Sequence, residues 1–147
     1  MRKMTDEETT REFEGAGSAA AGVLATLLAS VGYKDVYTHR PSALYAPEPI
    51  IIQVGAWERE TRLADDEGER GLVRLDVMVV RECWAVAEAV AHGIERSLRK
   101  GALRGYGEGW HVRMAGIDTG LPQCKGQDKS GRWIWGFEVW MTIARDV

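Results

Sequence analysis

The stretch Trp133-Ile134-Trp135-Gly136-Phe137-Glu138-Val139-Trp140-Met141-Thr142-Ile143-Ala144 decides the fold. Trp133, Trp135, Phe137, Val139, Met141 and Ile143 occupy every second position without a gap. Successive side chains of an extended chain point to opposite faces, so this is a long strand with one apolar face. That face requires a covering layer. Two helical stretches can supply it. Phe13, Gly17, Ala20, Leu24, Leu27 and Val31 recur at alternating spacings of four and three, and Trp84, Ala87, Ala91, Ile94 and Leu98 do the same. Each set marks one face of a helix. The strand is expected to lie under the helices that carry Leu24, Leu27, Ile94 and Leu98.

Outward from these elements, Thr5-Asp6-Glu7-Glu8 fits a capping box at the start of the first helix, with acidic residues at the positive end of its dipole. Gly32 gives the stop signal. Gly15, Gly17 and Gly22 weaken the helix by ~1 kcal/mol each, which allows a break near residue 15. Glycines on an apolar face also permit close approach to a sheet. Arg96, Arg99 and Lys100 close the second helix, and Gly101 or Gly105 ends it.

Tyr33–Arg40 reads as a short strand, followed by an irregular loop punctuated by Pro41, Pro47 and Pro49. Ile50–Arg62 and Val73–Val80 alternate at period two around the acidic turn Asp65-Asp66-Glu67-Gly68. Ile50–Val80 therefore predicts a long hairpin. His111–Ile117 is a further strand, and Gly120–Gly131 is the loop leading to the last one. The fold class is α+β: a mainly antiparallel sheet of four to five strands with a long hairpin, and two helices packed on one face. At 147 residues the chain, 1–147, reads as one domain, with residues 1–4 frayed.

A net charge of −3 at pH 7 argues against a nonspecific grip on DNA or an anionic membrane, and no sequence-specific nucleic acid binding is expected. The apolar run Ala16–Val31 follows acidic residues rather than a cationic lead-in, and it is shorter than the ~20 residues that span a bilayer. No export or membrane segment is expected. Cys83 and Cys124 lack C-x-x-C spacing and read as reduced thiols.

No reactive constellation emerges. His39, His92 and His111 fall in three different elements without ligand spacing, so no metal or other cofactor is expected. Gly126-Gln127-Asp128-Lys129-Ser130-Gly131 lacks the order of a phosphate loop and precedes a strand rather than a helix. The serines form no G-x-S-x-G elbow. Glu58 and Glu60 share a strand face, where charges are usually solvated. The chain is expected to be no enzyme.

Six tryptophans are more informative. Trp135 and Trp140 lie on opposite faces of one strand, and Trp57 is expected to oppose the Ile52/Val54 face of its own. Rings beside Arg59, Arg62 and Arg132 serve either an interface or a thick core. Both readings stay open on sequence alone.

The segment from Gly126 to Ile143, a polar G-x-D-x-x-G-R turn feeding a long alternating final strand, resembles the minor capsid and tail terminator (tail completion) proteins of tailed bacteriophages and prophages. The Val73–Val80 strand with Arg81, leading into a helix patterned on Ala87, Val90, Ile94 and Leu98, is similar to that family too. The resemblance implies a ring-forming, commonly hexameric, non-catalytic subunit of the virion, made in the bacterial cytoplasm. It would cap the tail tube and meet head-completion proteins. The alternatives are a small-molecule or peptide binding module on the same scaffold, then a small enzyme.

A strand pair this long reaches ~40 Å at about 3.3 Å per residue, further than the helices can cover. Its distal Trp57, Arg59 and Arg62, with Arg132 and Trp140, are the expected subunit interface. Asp65, Asp66, Glu67 and Glu69 are expected to face a solvent-filled channel or the ring's rim.

Overall fold

The computed structural model describes residues 6–39, 41–42, 46–59, 68–100, 104–107 and 109–146. Helix α1 (Asp6–Ser30) and helix α2 (Trp84–Lys100) pack on a seven-stranded mixed sheet. Its strands are β1 (Val36–Tyr37), β2 (Ile50–Arg59), β3 (Gly68–Arg81), β4 (Arg104–Gly107), β5 (Trp110–Thr119), β6 (Gln123–Gln127) and β7 (Trp133–Asp146). The order is β1-β2-β3-β7-β5-β4, with β6 paired to β7 beyond the end of β5.

The α+β class holds, but the expected four to five antiparallel strands become seven, and β1 runs parallel to β2. The additional strands have no apolar period. β4 is Arg-Gly-Tyr-Gly, and β6 is a mostly exposed run inside the expected 120–131 loop. Edge strands need no buried face, so their pairing leaves no stripe to read.

Strand β7 is the centre of the sheet. All 14 of its residues pair with β3, from Gly68↔Asp146 to Arg81↔Trp133. Phe137, Val139, Met141 and Ile143 are buried beneath the helices with Leu24, Leu28, Ile94 and Leu98. The period-two stripe thus becomes the core, where each buried methylene contributes about 0.8 kcal/mol.

Helix α1 is unbroken through Gly15, and its buried face is rotated slightly from the expected one. Leu28 is buried, Leu27 only partly, and Val31 is 59% exposed. Val31 lies past the last helical turn. There Gly32 (φ 101°) donates to the Ala29 carbonyl and Tyr33 to the Leu28 carbonyl, a Schellman ending. Thr5, the expected cap, lies outside the described residues. Gly17 permits the close approach of helix and sheet: a Cβ there would stand 2.9 Å from Val54 Cγ2.

The long hairpin is not a free arm. β7 flanks β3 along its whole length, including Gly68–Arg70, so among the described residues only the outer edge of β2 is open toward the distal end, β1 pairing with Ile50 and Ile51 at the other end. Sequence reasoning could not see this, because β7 joins β3 across more than fifty intervening residues.

Candidate interaction surface

The face away from the helices divides into two halves. Over one half, Pro41 and Pro49 stand beside Ile51, Met78, Val80 and Ile134, and Ala46 and Pro49 are themselves buried. The Asp128–Arg132 turn holds residues 46–49 down. Asp128 Oδ1 accepts from the amides of Ser130 and Arg132 at 2.9 Å each, and its Oδ2 accepts from Arg132 Nε at 2.7 Å. The oriented Arg132 guanidinium then donates to the carbonyls of Pro47 (2.6 Å) and Ala46 (3.4 Å). Gly131 (φ 79°) supplies the left-handed residue that closes the turn. Partial burial would raise the Asp128 carboxyl. The amide and side chain of Arg132, the Ser130 amide and the Arg132 charge outweigh it and hold the group below the usual carboxylate range.

Arg81 adds a second tie, donating to the Glu48 carbonyl at 2.8 Å, while the Glu48 carboxylate accepts the Glu82 amide at 3.1 Å. Burial lowers the Arg81 pKa, opposed by the charges of Glu48 and Asp35. The two arginines that carry the family resemblance therefore both anchor residues 46–49.

The other half of this face is open. The register aligns Arg70, Ala144, His111 and Tyr106 in one row, Glu58, Leu72, Thr142, Arg113 and Arg104 in the next, and Ala56, Arg74 and Trp140 in a third. Tyr106 is 66% exposed, and its ring meets His111 at 5.0 Å. A groove of about 760 Å³ runs between the first two rows, lined by Arg70, Arg104, Tyr106, His111 and Arg113 and, among the described residues, by no carboxylate. Sequence reasoning missed it, since β4 carried no signal and the register of β4 on β5 is a tertiary fact.

The expected interface residues do not form one patch. Trp57 lies on the helix side with Ile52, not opposite it, and is partly buried against the core. The cause is a bulge: the register runs Val54↔Leu75, then Ala56↔Arg74, leaving Gly55 unpaired. One additional residue flips every side chain beyond it. Arg132 is held within its own chain by Asp128 and residues 46–47. Trp140 is half-buried on the open face beside Arg74. The Arg59 side chain and residues Arg62, Asp65, Asp66 and Glu67 lie outside the described residues, as does the Glu69 side chain.

Of the other rings, Trp110 and Trp135 are buried, and Trp133 packs partly against the core. The guanidinium of Arg145 stacks 4.4 Å from Trp110. Trp84 is 43% exposed and meets Trp135 edge-on at 5.2 Å. Most of the tryptophans thus fill the core.

The three histidines stand apart, His39 on Tyr37, His92 on Trp135 and His111 on Tyr106. Among the described residues no three His, Cys, Asp or Glu side chains gather as a metal site. Cys83 and Cys124 are exposed free thiols. No helix among the described residues is long and apolar enough to cross a membrane.

No protein-family model and no curated protein matches this sequence. Among solved structures, the chain is similar to one chain of the virion of a native gene transfer agent (GTA) particle, at 18% identity and a TM-score of 0.49, over 89% of this chain and 94% of that one.

Proposed function

We propose that the chain is a structural subunit of a phage-type virion, a tail terminator or head–tail joining protein that forms a ring at the end of the tail tube. The observation that carries the reading is the open half of the sheet. It presents Arg70, Tyr106, His111, Arg113 and Trp140 on the sheet face turned away from the helices. Aromatic and arginine side chains on a preformed surface are what protein interfaces use. The resemblance of the Gly126–Ile143 segment supports the same reading. So does the work its Asp128 and Arg132 do: they clamp residues 46–49 over one half of the face and leave the other half clear.

In this reading the subunit has no catalytic role and needs no cofactor, and its partners are further copies of itself, the tail tube and head-completion proteins. The distal hairpin lies at the subunit seam, and the acidic turn stands at the ring's rim. The test is complementation of a tail-assembly defect, with particles imaged by negative stain. A ring capping the tube is expected. Intact tails made without the protein would overturn the reading. The open groove also favours a second reading, a binding module for an anionic small molecule or peptide. A chain that binds such a ligand and stays monomeric on tail tubes would establish that instead.

A further inference from the structure

We propose that the arginine groove on the open sheet face is the docking site for the acidic segment Asp65-Asp66-Glu67 of a second copy of this chain. The proposal rests on the ring reading above and names its contact. Arg104 and Arg113 lie directly opposite each other on adjacent antiparallel strands, and both are exposed. Like charges so placed repel one another and weaken the ladder. Three other arginines stand beside a carboxylate of their own chain, Arg74 by Asp76, Arg99 by Glu95 and Arg132 by Asp128. Among the described residues the side chains of Arg104 and Arg113 make no ion pair or hydrogen bond. Arg70, which has a contact within the chain, borders the same groove.

A pair of guanidinium groups without a counter-charge selects a carboxylate or phosphate partner. Nucleic acid fits poorly. The whole chain is negative at −3, and a short groove is not the basic stripe that follows a phosphate backbone. The sequence Asp65-Asp66-Glu67, immediately before β3, offers three consecutive carboxylates, and it is present wherever the chain is. Its charge complements the groove, and the two patches differ. A turn-into-groove contact is therefore heterologous: it repeats head to tail and generates a ring when the rotation closes. In this contact the acidic segment lies where the seam between neighbours meets the ring's rim.

The experiment uses the full chain with Asp65→Asn, Asp66→Asn and Glu67→Gln, so that its own turn does not compete. A labelled peptide of residues 62–70 is titrated into it. Saturable binding is expected, weakened at least about tenfold by adding Arg104→Glu and Arg113→Glu. No binding, binding indifferent to the arginine reversal, or preference for a short DNA over the peptide would each overturn the proposal. Mixing supplies the second measurement. The turn-neutralised chain and an otherwise native Arg104→Glu/Arg113→Glu chain each keep one half of the contact, so together they should form one-to-one dimers that cannot grow. A mixture that stays monomeric indicates a turn held in its own groove and also overturns it. The readings separate cleanly. Rings that survive the arginine reversal defeat the groove alone, whereas docking in a chain that never closes a ring defeats the ring alone.

Discussion

Asp128 and Val139 show the two kinds of residue on which this fold depends, one polar and one apolar. Asp128→Ala removes the acceptor for two amides and a guanidinium, which should cost about 1–3 kcal/mol in denaturant unfolding. The effect carries a pH signature. The carboxyl is held below its usual range, so its contribution is fully present above the unfolded value of about 3.9 and is lost as pH falls through the folded one. The stability gap between native chain and variant should hold from neutrality to about pH 5 and shrink below about pH 4. A gap that grows in acid would refute the assignment. Val139 is wholly buried beneath the helices. Val139→Asp leaves an unpaired charge there and should cost several kcal/mol, seen as a large loss of melting temperature or of soluble protein. The Val139 position was legible because period two fixes which side chains face inward. The reach of Asp128 and Arg132 to residues 46–49 was not, because it joins segments distant in sequence.

At the scale of elements, the strongly periodic ones were readable and the edges were not. The β7 stripe and the α2 spacing come from residues that must be buried, so burial writes a pattern into the sequence. β1, β4 and β6 are short edge segments whose hydrogen bonds go to neighbours that no local pattern names. Trp57 was assigned to the wrong face for a specific reason: alternation was carried straight through Gly55, where the strand bulges. Deleting Gly55 should therefore move Trp57 toward the open face, lowering stability by about 2–4 kcal/mol and shifting its fluorescence to the red. Unchanged stability and emission would mean that the bulge does not set the register. The hairpin offers a second test. Residues 68–70 are laddered to β7, so a shortening that spares them, replacing 61–67 with a tight turn, should leave the domain folded. The shortened chain is expected to keep its melting temperature within a few degrees yet fail to complete tails. Full complementation by that chain would exclude the turn from the seam.

For the molecule as a whole, the helices cover one face of the sheet, the segment tied down by Arg81 and Arg132 lies on part of the other, and the remainder is an open platform of arginines and aromatic rings. A subunit whose acidic turn fits its neighbour's platform assembles by a single repeated contact, and it should do so less well as salt screens the charges. The most direct measurement is sedimentation velocity of the full chain over rising concentration at low and high salt, with the assembled peak imaged by negative stain. The account predicts one discrete closed species, seen as a ring, that gives way to monomer as salt rises. A chain that remains monomeric at every concentration in low salt, and that adds no ring to purified tail tubes, would contradict it.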